Sequence, residues 1–234
     1  MAEDLNHSTT PLLSTVLDAI GQDIVTGTLP AGHRFTLQDL HQRFGISRTV
    51  ARECMRALEQ LGLVSSSRRV GMTVLPLSEW AVFDQAIIGW RLDAEKSRPG
   101  QLESLNQMRL AVEPIAARLA AENASDAQVE EILTLGDRLH ELEVEPSPRV
   151  GEELATDLRF HSMVLHASGN EMFAALAPSL LAMVKGKSVY GSAKRDPIGG
   201  TEDLHRELAV AIAKRRPDEA EKISRRILDA AAQS

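Results

Sequence analysis

The stretch from Thr36 to Leu63, TLQDLHQRFGISRTVARECMRALEQLGL, constrains this chain more than any other. It spells two short helices with a tight turn between them. Thr36 stands three residues before Asp39, the spacing at which a hydroxyl and a carboxylate each accept from the other's backbone N–H. Leu37, Leu40 and Phe44 recur at helical spacing and mark a buried face. Gly45 stops that helix, because glycine takes the left-handed backbone angles a tight turn needs. Ser47 then offers an oxygen to the first free N–H groups of a second helix. That helix buries Val50, Ala51, Cys54, Leu58 and Leu61, and leaves Arg48 and Thr49 exposed in its first turn, with Arg52 and Arg56 on the next two. A helix-turn-helix whose second helix leads with arginine carries the side chain best suited to guanine edges and phosphates.

Residues 63–75 extend the motif. Leu63 and Val64 begin an apolar strand, Ser65 to Arg69 makes a polar, basic tip, and Val70 to Leu75 returns as a second strand. A helix-turn-helix joined to a basic hairpin is a winged helix. The charge is local. The whole chain carries −7, yet Arg34 to Pro76 holds seven arginines against three carboxylates, a net +4 that leaves −11 on the rest. An acidic body excludes indiscriminate binding to nucleic acid, while a small positive module concentrates DNA contact on one face.

Beyond Pro76 helical periodicity is nearly all there is. Only 3% of residues are aromatic, and alanine and leucine are plentiful. The pattern predicts helices at about 79–93, 100–123, 126–143, 150–167, 171–189, 201–214 and 217–232, after an N-terminal helix over 11–26. Ser125 and Gln128 form another capping box, Pro114 is expected to kink its helix or leave a gap in its hydrogen bonds, and Ser168-Gly169-Asn170 is a stop. The fold class is therefore mainly α: a winged helix-turn-helix over residues 1–76, then an antiparallel α-helical bundle over 77–234. Cys54 is the single cysteine, which excludes an internal disulfide and reads as a packed small hydrophobe. The polar, acidic first residues carry no signal-peptide pattern and no run spans a bilayer, so a cytoplasmic protein is expected.

Residues 20–75 resemble the GntR family of bacterial transcription regulators. The resemblance is carried by Ile24, Gly27-Thr-Leu-Pro-Ala-Gly32, Leu40, Phe44-Gly-Ile-Ser-Arg-Thr-Val-Ala-Arg52, Leu58-Glu-Gln-Leu-Gly-Leu63, Gly71 and Val74. The second half resembles the FCD effector domain of the FadR subfamily, on Arg109-Leu-Ala-Val-Glu-Pro114, Asp157-Leu-Arg-Phe-His161, Ala167-Ser-Gly-Asn170 and His205. Glu79-Trp80 and the region Ile88-Gly-Trp90 look most like regulators of sugar-acid catabolism. The resemblance implies a homodimer on double-stranded operator DNA. Arg48, Thr49 and Arg52 would read the operator, Ser47 would hold phosphate, and Gly71 would let the wing approach DNA. Gln38 stands where many members carry arginine, and Arg69 where many carry a glycine at the wing tip, so both bear on which operator is read.

Asp157 and His161 lie four apart on one helix and share a face. A carboxylate and an imidazole suit zinc, nickel or manganese, and His205 can complete the set. The residues alone leave open a second reading, in which His161 and His205 are hydrogen-bonded core histidines. The resemblance implies a divalent metal in the bundle core that in turn holds a ligand carboxylate. The family's further histidine in the last helix is replaced here by Ile227. Arg109 lies on an otherwise apolar helical stretch, and a buried arginine needs an anion. Glu113, one turn on, would make a surface ion pair with it; the resemblance makes Arg109 a carboxylate clamp for the effector. Tyr190 and Thr201 flank a loop over the pocket and can donate to ligand hydroxyls.

Two functions of different classes are compatible with these residues. One is a ligand-responsive repressor of sugar-acid catabolism genes, released from its operator by a small hydroxy-carboxylate such as gluconate or galactonate. The other is a metal-dependent hydrolase or isomerase using Asp157, His161 and His205, against which stand the absence of an HExxH motif and of an evident general base, and the unexplained winged helix.

Overall fold

In a computed structural model, which describes residues 9–67, 71–145, 151–189 and 203–233, the chain divides into two units, Met1–Gln101 and Leu102–Ser234. The first unit holds α1 (Thr9–Thr26), β1 (Arg34–Phe35), α2 (Leu37–Phe44), α3 (Arg48–Gln60), β2 (Val64–Ser67), β3 (Gly71–Val74), a single 3-10 turn at Leu77–Glu79, and α4 (Gln85–Asp93). The local chemistry read from the sequence is what starts and stops the two central helices. Thr36 Oγ1 accepts from Asp39 N at 3.2 Å while Asp39 Oδ2 accepts from Thr36 N at 2.7 Å. Gly45 ends α2 at φ 64°, and Ser47 caps α3 by accepting from Val50 N. Ile20, Leu40, Ile46, Leu58, Leu63 and Met72 are fully buried between α1, α2, α3 and the sheet. Cys54 is buried with them, and burial pushes its thiol up to about 11.

The wing is a three-stranded antiparallel sheet in the order β1-β3-β2, with Val64 opposite Val74 and Phe35 opposite Met72. The two-residue strand β1 is an addition to the expected hairpin. It explains Gly71, which sits at φ +82° where a Cβ would come within 2.7 Å of the Phe35 carbonyl oxygen. The pairing of β1 with β3 thus demands glycine at 71, whatever the wing touches. Arg69 lies outside the described residues.

The first unit continues to Gln101 because α4 packs on α1: Ile87 and Trp90 share one buried cluster with Val16 and Ile20, and Trp90 Nε1 donates to Asp18 Oδ1 at 3.0 Å. The helix expected from residue 79 begins only at Gln85, where the Asp84 side chain accepts from Ala86 N. Arg98 closes its other end, donating from Nε to the Leu92 carbonyl at 2.6 Å and from Nη2 to that of Asp93 at 2.9 Å.

The second unit is helical: α5 (Arg98–Asn123, which begins within the first unit), α6 (Asp126–Val144), α7 (Glu152–Ala167), α8 (Glu171–Val189), α9 (Leu204–Ala213) and α10 (Pro217–Gln233). α5 runs as one helix through Pro114, where the missing N–H leaves the Leu110 carbonyl without its intrahelical partner, the gap expected of proline there. Ala117, Ala120 and Ala121 of α5 are fully buried, and their small side chains make room for Phe160 of α7 and Ile212 of α9 in one core. Gly136 of α6 faces α9 closely: a Cβ there would meet Ala209 Cβ at 3.0 Å and the His205 carbonyl at 3.3 Å. No helix among the described residues is long and apolar enough to cross a membrane.

Candidate functional site

In the first unit the candidate surface is the opening of α3. Val50, Ala51 and Cys54 turn inward and are buried, so helical spacing turns Arg48, Thr49 and Arg52 outward, and all three are exposed. Among the described residues, neither Arg48 nor Arg52 forms an ion pair, whereas Arg56 is held by Glu53 at 2.7 Å. Ser47 is exposed at the N-terminus of α3, its hydroxyl already serving as the cap. Gln38 is exposed on the first turn of α2. The free N–H groups and the positive dipole end of α3 reinforce the arginine charge at one point.

In the second unit three helices bring charged groups into an apolar interior. Asp157 and His161 lie one turn apart on α7, and His205 opens α9. His161 Nε2 and His205 Nε2 both face Asp157 Oδ1, at 3.4 and 3.3 Å. Both rings stand edge-on to Phe160, at centroid distances of 5.7 and 5.2 Å, which fixes their planes. A carboxylate oxygen and two imidazole nitrogens all lie within 4.8 Å of one another. Neighbouring ligand atoms around a divalent ion with bonds of ~2.1 Å sit about 3.0–3.4 Å apart; the two separations from Asp157 Oδ1 match that spacing, and a carboxylate with two imidazoles is a donor set of the type that zinc, nickel or manganese takes. Ile227, which replaces the family's further histidine, is buried in the apolar cluster that also holds Phe160.

Behind the histidine lies a buried ion pair where a surface one is expected. Arg109 and Glu113 of α5 are 3% and 2% exposed. Arg109 Nε donates to Glu113 Oε1, and Arg109 Nη2 donates to Glu113 Oε2 at 3.3 Å. Glu113 Oε2 also faces His161 Nδ1 at 2.8 Å. A continuous array thus runs Arg109, Glu113, His161, Asp157, His205. Burial raises the cost of charge on Arg109, Glu113, His161 and Asp157, yet the mutual pairing outweighs it. Burial pushes Glu113 up, but Arg109 and His161 pull it down to about 2. Burial pushes His161 down, but Glu113 and Asp157 raise it to about 9. Burial likewise opposes ionisation of Asp157, and His161 and His205 hold it well below the usual carboxylate range. The charges of Arg109 and His161 thus offset those of Glu113 and Asp157, and His161 must give up its Nε2 proton before that nitrogen can ligate. The contact of Glu113 with His161 is the part of this site that sequence reasoning misses, since the only visible signal of Glu113 is its spacing to Arg109. Tyr190 and Thr201 lie outside the described residues.

Comparison with known proteins agrees with both halves. Residues 12–74 match the domain described as bacterial regulatory proteins, gntR family, and residues 104–230 match the FCD domain. The chain is 27% identical over 169 residues to the galactonate operon transcriptional repressor of Escherichia coli K12, covering 72% of each protein. It is 27% identical over 187 residues to the HTH-type transcriptional repressor NanR of Cronobacter sakazakii, covering 79% of this chain and 70% of that one. Among solved structures, a GntR protein of Streptococcus agalactiae superposes with a TM-score of 0.51 at 21% identity, over 95% of this chain and all of that one, and shows the shared fold. The metal-dependent hydrolase or isomerase is set aside by this kinship, since the family is one of regulators. A winged helix with an arginine-led recognition helix, joined in one chain to an FCD bundle, makes this protein a member of the GntR family, a ligand-responsive, DNA-binding transcription regulator and not an enzyme.

Proposed function

We propose that this chain is a homodimeric repressor of sugar-acid catabolism genes that leaves its operator when a small hydroxy-carboxylate, such as gluconate or galactonate, binds the helical unit. In this reading residues up to 76 make the DNA contacts, and the protein works in the cytoplasm. Arg48, Thr49 and Arg52 meet base edges, Ser47 meets phosphate, Gly71 lets the wing approach DNA, and Gln38 and Arg69 bear on which operator is read. The observation that carries the effector class is the convergence of Asp157, His161 and His205 on one point inside an apolar bundle. Three protein ligands around zinc, nickel or manganese leave positions for a carboxylate and a neighbouring hydroxyl. Arg109 contributes positive charge behind that point, and Tyr190 and Thr201 donate to the remaining hydroxyls. An unpaired buried hydroxyl costs on the order of 1–3 kcal/mol, so epimers are told apart. The similarity to a galactonate operon repressor supports the same class.

Binding of effector and of operator are linked: whatever factor the effector takes from operator affinity, the operator takes from effector affinity. The test is titration of gluconate, galactonate and related acids against the protein–operator complex, with and without chelator. Release by an aldonate, lost on chelation, is the expected result. Release by an acyl thioester, with every hydroxy acid ineffective at millimolar levels, would sink the assignment.

A further inference from the structure

We infer that Glu113, held by Arg109, is a positioning residue of the metal centre: it fixes His161 with Nε2 toward Asp157 and His205, and so sets the affinity of the site for a divalent cation. The inference rests on the metal reading above and goes beyond it, because it assigns a role to two residues that would not touch the ion.

A histidine can offer either nitrogen to a cation, and which it offers depends on the hydrogen bond made by the other. His161 Nδ1 lies 2.8 Å from Glu113 Oε2, so that nitrogen keeps its proton and donates it, and Nε2 is the one left for a cation. Nε2 is also the atom that faces Asp157, alongside Nε2 of His205. A carboxylate behind a ligating imidazole orients the ring and raises its basicity, and its loss typically weakens metal binding about 10- to 100-fold. Glu113 cannot turn away to find water, since it is 2% exposed. Among the described residues, its other hydrogen bonds run to Arg109, through Nε and Nη2. The forked guanidinium holds both carboxylate oxygens in plane. Direct capture of an effector carboxylate by that edge of Arg109 would strip Glu113 of its partner. As a support for Glu113 the same guanidinium acts without rearrangement.

The test uses the full chain freed of metal by dialysis against chelator. Zinc affinity is measured by calorimetry, and cobalt(II) replaces zinc to report ligand geometry through its visible absorption. Wild type is expected to bind both. Glu113→Gln, which keeps an acceptor but loses the charge, should weaken zinc binding about 10-fold, and Glu113→Ala nearer 100-fold, with a shifted cobalt spectrum in each. Because either change leaves Arg109 buried without its anion, the double variant Arg109→Met/Glu113→Gln, which has no unpaired charge, should show the same 10-fold loss with a native circular dichroism spectrum. Any folded variant of Glu113 with wild-type zinc affinity and the wild-type cobalt spectrum overturns the inference. Nitrogen-15 spectra of zinc-loaded wild type add a test that needs no variant: the proton on Nδ1 of His161 supports the assignment, and a proton on Nε2 refutes it. Wild type that takes up neither cation overturns this inference and the metal reading together, whereas normal uptake with unaffected variants overturns this inference alone.

Discussion

The two units treat arginine in opposite ways. In α3, Arg48 and Arg52 stand exposed on a helix whose other face is packed, and they join no ion pair among the described residues. In α5, Arg109 is 3% exposed and fully engaged with Glu113. An exposed arginine costs the fold nothing and keeps its charge for an outside polyanion. A buried one must meet a carboxylate inside the chain, and that carboxylate then becomes available to orient something else, here His161. The same residue type therefore serves contact in one unit and architecture in the other, and the difference is measurable.

The largest effects should separate the two roles. Arg48→Ala or Arg52→Ala removes a contact worth roughly 1–3 kcal/mol. A dimer loses it twice, so specific operator affinity should fall roughly 30-fold or more while thermal stability stays within about 0.5 kcal/mol. Gel shifts with specific and unrelated DNA at fixed salt check this, and an Arg48→Ala protein that shifts operator at wild-type concentration breaks the comparison. Arg109→Ala should do the reverse. It breaks a buried pair, which typically costs about 3–5 kcal/mol, and the surviving folded protein should hold its operator but no longer release it on addition of effector. A thermal melt unchanged by Arg109→Ala would show that the pair is not structural.

Acidity should act on the second unit more than on the first. His161 is raised from 6.5 to about 9, so its contribution to stability is complete below pH 6.5 and is lost as pH rises through 9. Glu113 is lowered from 4.5 to about 2, so its contribution is complete above pH 4.5 and is lost as pH falls through 2. In metal-free protein, the array should stabilise the helical unit most between pH 4.5 and 6.5. Zinc binding runs the other way, since the cation displaces a proton from His161, and its affinity should weaken up to about tenfold per pH unit below pH 9. Calorimetry at pH 6 and pH 8 decides; equal affinities would mean that His161 is already neutral.

Much of the first unit is legible in the sequence because its decisive chemistry is local. Thr36 with Asp39, Gly45, and Ser47 all act within a few residues of themselves, and each behaves as its spacing predicts. The strand β1 is not legible, because two residues carry no period, and only its pairing with β3 reveals why position 71 is glycine. In the second unit, Asp157 and His161 announce themselves by sharing a helix face, and His205 by the family pattern. Glu113 is readable only as a partner for Arg109. Its contact with His161 joins α5 to α7 across 48 positions of sequence, a tertiary fact that no spacing encodes. The late start of α4 has the same origin, since Asp84 competes for the N-cap well inside a stretch whose periodicity already reads as helix.

The finest comparison lies in how tightly each unit is closed. Gly21 of α1 lets the Trp90 ring lie against the helix: a Cβ there would be 2.6 Å from Trp90 Cε3. Alanine gains about 1 kcal/mol of helix propensity over glycine, but overpacking a closed core costs about 1–3 kcal/mol. With a planar indole anchored to Asp18 and unable to retreat, the clash should win. Gly21→Ala should lower the urea midpoint of the first unit and shift Trp90 fluorescence. Gly89→Ala in α4 is the control, because a Cβ there meets nothing within 4 Å and only the propensity gain remains; its midpoint should rise. Gly136→Ala in α6 should nearly cancel in stability, since its nearest neighbour, Ala209 Cβ at 3.0 Å, can yield by a few tenths of an ångström. That yielding moves α9, however, and α9 carries His205. Gly136→Ala should therefore leave the melting temperature within a few degrees of wild type and weaken zinc binding several-fold, while Gly21→Ala leaves zinc binding untouched. A Gly136→Ala protein with unchanged zinc affinity would show that His205 does not follow the packing of α6 against α9.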